Sequence, residues 1–132
     1  MKRGNIILMN KAIADKKKDT YIFVPIEHCY IGASAARVST TLKGKYLSYT
    51  VEANTLDNML DDLGIESINL LKIDIEGQVL ECLPGMMATL KRTRWLFIEL
   101  LGRDMLCVGT LRKIGFRIKA RHGTNFLFEN EA

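Results

Sequence analysis

The sequence has only two prolines and one tryptophan in 132 residues, and no two of its ten glycines are separated by a single residue. A dinucleotide fingerprint needs closely spaced glycines so that backbone can approach a pyrophosphate, so none is present. There is also no phosphate-binding P-loop and no nucleophile elbow of the G-x-S-x-G kind. The three cysteines, Cys29, Cys82 and Cys107, lie far apart and form no CxxC pair. An odd, scattered set argues against a disulfide framework and suits a reducing compartment. With only His28 and His122 as imidazoles, and neither at ligand spacing, a zinc site is not expected. No apolar run approaches the roughly 20 residues of a membrane-spanning helix. The run Ile6–Met9 behind the basic start is too short for a signal-peptide core. A soluble, cytoplasmic protein with no membrane partner is expected.

What is present is an ordinary globular composition, 48% hydrophobic and 26% charged, enough for one domain with its own core. The net charge of +4 is unevenly spread. Residues 1–45 carry nine basic and three acidic side chains, residues 46–99 four and nine, and residues 100–132 six and three. Carboxylate chemistry is therefore expected in the middle of the chain. The basic ends show no stripe interleaved with aromatics and no helix-turn-helix spacing, so no nucleic-acid partner is expected.

The hydrophobic pattern divides the chain into short elements. Ile6–Met9 and Tyr21–Val24 read as strands, joined by the charged turn Asp15–Asp19. Residues 27–45 read as a loop of small residues, and Tyr46–Ala53 as a strand. Thr55 is a good N-cap for a helix over 55–63. Asp57 stands in the first turn, where the helix dipole favours a carboxylate. Leu56, Met59, Leu60 and Leu63 make its apolar face, and Gly64 its stop. Ile68–Asp74 suits a central strand covered on both faces. A helix carrying Val79, Leu80, Leu83, Met87 and Leu90 follows, interrupted at Pro84-Gly85. Trp95–Leu100 is a second buried-type strand. Residues 103–114 read as a helix ended by Gly115, and Phe116–Arg121 and Asn125–Glu129 flank the turn signal His122-Gly123-Thr124. Cys82 and Cys107 fall on apolar helix positions and read as core. The expected fold class is α/β, with right-handed crossovers and an antiparallel C-terminal hairpin.

Open parallel sheets place their ligands beyond the carboxyl ends of the strands. Asp74 and Glu76 follow one such strand, and Glu99 lies near the end of the next. Neighbouring strands are about 4.8 Å apart, so the three carboxylates can converge on one rim. Such a set can act as a general base, raise the pKa of one member, or hold a cation. Lys72 alternates with Asp74 and points to the same face. His122 reads as a solvent residue in the hairpin turn, and His28, near the loop of small residues, is given no functional role.

Thr55-Leu56-Asp57, then Leu70-Leu71-Lys72-Ile73-Asp74-Ile75-Glu76-Gly77, then Leu80-Glu81-Cys82-Leu83-Pro84-Gly85, then Phe97-Ile98-Glu99-Leu100 together resemble the FkbM-type methyltransferases. Asn5–Asp15 and Gly115-Phe116 extend the resemblance more weakly over nearly the whole chain. The resemblance implies a partial class I methyltransferase sheet, Rossmann-like, with the Asp74 strand fourth, the Trp95 strand fifth and the hairpin closing it. It implies S-adenosylmethionine as cofactor and methyl transfer to an oxygen. Asp74 and Glu76 would be catalytic, with Lys72 and Glu99 binding the acceptor, a small molecule such as a sugar, a lipid or a natural product.

The family's first two strands carry a glycine loop and a ribose-binding acid, and the resemblance starts after them. The expectation is one FkbM-like domain over 1–132, N-terminally truncated or split, with a β-rich leading segment at 1–53 and an α/β core at 54–132. An uncovered sheet edge would then invite self-association or a partner chain. The rival expectation is a non-catalytic remnant acting as an interaction module.

Overall fold

The computed structural model describes residues 5–25, 37–38 and 46–132, apart from the side chains of 19–49. The loop read at 27–45, with His28 and Cys29, lies outside the described residues except for Arg37–Val38. The fold is mixed α/β with two four-stranded sheets. The first contains β1 (Ala12–Ile13), β2 (Lys18–Pro25), β3 (Arg37–Val38) and β4 (Tyr46–Asn54), in the order β1-β4-β2-β3. β2 and β4 run antiparallel, from Lys18 opposite Ala53 to Pro25 opposite Tyr46.

The second sheet contains β5 (Ile68–Ile73), β6 (Thr93–Glu99), β7 (Phe116–His122) and β8 (Asn125–Asn130), in the order β5-β6-β8-β7. β5 and β6 are parallel, and β8 pairs antiparallel with both β6 and β7. This is the partial Rossmann-like arrangement expected, with the closing hairpin at one edge. The hairpin turns on Gly123 and Thr124, with Gly123 at φ +58°, a conformation glycine adopts without steric cost.

The helices are short. α1 (Leu56–Asp62) starts where Thr55 Oγ1 accepts the Asn58 N–H at 3.0 Å, and Gly64 follows at φ +66°. Its buried face is narrower than the pattern suggests: Leu56 and Met59 are buried, but Leu63 is 38% exposed. Pro84-Gly85 breaks the next helical stretch into α2 (Val79–Cys82), a 3-10 turn at Leu83–Met86, and α3 (Met87–Lys91). The 103–114 helix begins as a 3-10 turn at Gly102–Leu106 and becomes α4 (Cys107–Lys113).

Leu96, Ile98, Phe126 and Phe128 of the second sheet are buried with Val79, Met86, Leu90, Cys107 and Leu111 of the helices. Phe126 and Phe128 stack with centroids 5.9 Å apart, and Phe116 meets Phe128 edge-on. Both readings of cysteine as core hold. Cys82 and Cys107 are buried, and burial first, then nearby acids, pushes each thiol up to about 11.

Two expectations fail. Ile6–Met9 is not a buried strand: Ile6 is 82% and Leu8 91% exposed, and pairing starts only at Ala12. An apolar run of β-formers makes a strand only where a neighbour offers hydrogen bonds, and none of the described strands does so here. β5 is likewise not a central strand covered on both faces. It forms one edge of its sheet, and Leu70 is 60% exposed. Among the described residues, no helix is long and apolar enough to cross a membrane.

Candidate functional site

The register of the parallel pair sets Ile73 opposite Ile98. The next residue on each strand is therefore an acid, Asp74 after β5 and Glu99 at the end of β6. Ile75–Gln78 then turns sharply, with the Gln78 N–H donating to the Ile75 carbonyl at 3.3 Å. Both central residues have positive φ, Glu76 at 51° and Gly77 at 78°. That is the sign pattern of a type I′ turn, which suits glycine at its second position and strains glutamate at its first. Among the described residues Glu76 is the one non-glycine in this region. The turn folds its carboxylate back over the strand ends. One carboxylate oxygen from each of Asp74, Glu76 and Glu99 lies within 4.8 Å of the others.

All the acids read from the sequence as a converging set thus meet at one rim. Lys72 joins them: its Nζ donates to Asp74 Oδ2 at 3.1 Å, with both side chains well exposed. Two like charges this close repel by about 1 kcal/mol in water and more where solvent is excluded, and the ammonium offsets part of that. The rim also holds a group the sequence reading passed over. Thr124 Oγ1 donates to Glu99 Oε1 at 3.1 Å, and the Leu100 N–H donates to the Thr124 carbonyl at 2.9 Å. The hairpin turn was legible, but its return to the end of β6 depends on sheet order. His122, read as a solvent residue, is exposed.

Two further aspartates cap helices that lie far from them in sequence. Asp57 stands in the first turn of α1 as expected, and it serves a second helix as well. Its carboxylate accepts the Ala88 N–H at 3.1 Å and the Thr89 N–H at 2.7 Å, capping α3, whose own N-cap Met86 has no capping side chain. Asp104, buried in the 3-10 turn after β6, accepts the Leu80 N–H at 2.9 Å and so caps α2. Chemically, the rim offers three acceptor carboxylates, one ammonium and one hydroxyl. It can take a proton from a hydroxyl, attract a cation, or hydrogen-bond a polyol.

The acids gather at the carboxyl ends of a parallel strand pair in a partial Rossmann-like α/β fold, the position where open sheets of that class place their ligands. The model of the FkbM methyltransferase domain matches residues 2–114, and the chain belongs to that family. No curated protein and no solved structure matches the chain.

Proposed function

We propose that this chain carries the acceptor side of an O-methyltransferase site. The observation that carries the reading is the convergence of Asp74, Glu76 and Glu99 within 4.8 Å, in a chain of the FkbM methyltransferase family. In this reading Asp74 and Glu76 are the catalytic pair. One of them accepts the proton of an acceptor hydroxyl as that oxygen is methylated. Lys72 and Glu99 hold and orient the acceptor, a sugar, a lipid or a small natural product with a free hydroxyl. Thr124 fixes the Glu99 carboxylate.

When bound, S-adenosylmethionine supplies the methyl group as a sulfonium cation. The rim suits that positive charge and the ribose hydroxyls. The sequence offers no closely spaced glycines for close backbone approach to the adenosyl part. We therefore assign that part of the site to a segment outside residues 1–132, docked on the open edge of β5. The domain is then a truncated or split FkbM-type domain.

Titration calorimetry with S-adenosylmethionine tests this assignment. The chain alone should show no binding at micromolar concentration, and micromolar affinity would sink the split reading. In the form that turns over, Asp74→Asn should lower kcat by about 10²–10⁴ with an unchanged unfolding midpoint. Unchanged turnover removes Asp74 from the mechanism.

The β5 edge, open among the described residues and with Leu70 60% exposed, supports a second reading. The chain is then a non-catalytic module whose edge pairs with a second copy or a partner chain. Light scattering at dilute concentration that reports a monomer would count against self-association.

A further inference from the structure

We propose that Asp104 is the positioning residue of the carboxylate rim. Its hydrogen bond to Leu80 ties the segment after β5, which carries Asp74 and Glu76, to the turn that follows Glu99 at the end of β6.

Several observations converge on this. Asp104 is 1% exposed, and its Oδ1 accepts the Leu80 N–H across 24 residues of sequence. Leu80 is the second residue of α2, directly after the turn that contains Glu76 and Gly77. Asp104 thus supplies an acceptor to the second N–H of α2 from the 3-10 turn after β6. A non-glycine residue held at positive φ costs about 1–2 kcal/mol and persists only where its surroundings over-determine it. Mutual repulsion of three carboxylates adds to the tendency of the turn to open. The opposing restraint sits close by. A Cβ on Gly77 would lie 3.6 Å from Leu101 Cβ, so the turn packs directly on the segment that leads to Asp104. Asp104 reinforces that segment locally as well, its own N–H donating to the Leu101 carbonyl at 3.0 Å.

The second carboxylate oxygen of Asp104 is buried without a hydrogen-bond partner among the described residues. For stability alone, a buried group left half satisfied is unfavourable. Its presence there fits a residue whose task is to hold the α2 start against the 3-10 turn. The inference rests on the reading of the rim as the acceptor side only for its catalytic meaning. The geometry it asserts is independent of turnover.

The test compares the full chain with Asp104→Ala, Asp104→Asn and Leu111→Ala, the last a core truncation at a buried α4 residue that is not one of the rim groups. Amide exchange and side-chain carboxyl ¹³C shifts are followed by NMR under native conditions. In Asp104→Ala, the Gly77, Gln78 and Leu80 amides should exchange roughly tenfold faster or more, as expected for loss of one charged acceptor. The carboxyl shifts of Asp74, Glu76 and Glu99 should move together. Asp104→Asn keeps an oxygen acceptor and should restore most of the wild-type pattern. Leu111→Ala should lower the unfolding midpoint and leave the rim shifts in place. If Asp104→Ala does not fold, Asp104→Asn serves alone: its weaker neutral acceptor should leave a small, concerted shift of the three rim carboxyls that Leu111→Ala lacks, and rim shifts that match those of Leu111→Ala overturn the proposal. Rim shifts and exchange unchanged in folded Asp104→Ala also overturn it. Loss of methyl transfer without any rim change would refute Asp104 as a positioning residue while leaving the proposed function standing.

Discussion

Replacing Asp57 by alanine separates two accounts of the same residue. By position it belongs to the first turn of α1, where a carboxylate is worth about 0.3–1 kcal/mol through the helix dipole and is screened by salt. By structure it accepts two backbone N–H groups of α3, from Ala88 at 3.1 Å and from Thr89 at 2.7 Å. Thr89 is fully buried, so without Asp57 its N–H loses its acceptor in a place water does not reach. A lost cap costs about 0.5–2 kcal/mol, and an unsatisfied buried donor roughly 1–3 kcal/mol. The two overlap, and about 2–4 kcal/mol is expected for Asp57→Ala. That is a large part of a domain stability of about 5–15 kcal/mol. At this chain length it corresponds to a fall in Tm of roughly 8–15 °C. Asp57→Asn retains one acceptor oxygen and should lose about half as much. The assay is urea unfolding followed by far-ultraviolet circular dichroism, with the m-value unchanged because the same surface is exposed on unfolding. A loss below about 1 kcal/mol that vanishes in molar salt would refute the α3 cap and restore the dipole account.

Two more outcomes follow from the packing. Gly85→Ala would set a Cβ 2.5 Å from the Ala14 carbonyl oxygen and 3.0–3.1 Å from the Thr55 side chain. Overpacking against backbone should cost about 1–3 kcal/mol, read as a lowered urea midpoint, and a neutral substitution would show that this contact between the residue after β1 and the helical segment yields freely. The Cys82 and Cys107 thiols, raised from 9.0 to about 11 chiefly by burial, favour the neutral form in the fold. Their contribution to stability is complete below pH 9 and is lost as pH rises toward 11, by about 1 kcal/mol per thiol at pH 10. At pH 8 both should resist iodoacetamide in the native protein and react in urea, as peptide mapping would report; rapid native labelling would contradict their burial.

The local part of the fold was legible because local signals suffice for it. Thr55 caps α1 and Gly64 ends it, Pro84-Gly85 breaks the second helical stretch, and His122-Gly123-Thr124 marks the hairpin. The acids of the rim were legible for a related reason. Each stands at or just after the end of an apolar strand run, and parallel strands align their carboxyl ends. What escaped the sequence depends on partners far along the chain. The Asp57 and Asp104 caps reach across 32 and 24 residues. Nothing local distinguishes an aspartate that serves its own helix from one that serves another.

Taken alone, the order of residues determined the element types, the α/β class and the identity of the acids that gather at the rim, because period, capping and strand-end chemistry act within a few residues. Only the tertiary structure decided which apolar runs are covered. Ile6–Met9 and β5 carry the residues of buried strands, yet Leu8 stands 91% and Leu70 60% exposed. Burial is a property of neighbours, and an apolar segment records its need for a neighbour without supplying one. The tertiary structure alone also decided that Glu76 bends back at φ 51°. A strained turn persists by virtue of what is packed and bonded around it, and here that is Leu101 beside Gly77 and Asp104 on the Leu80 N–H.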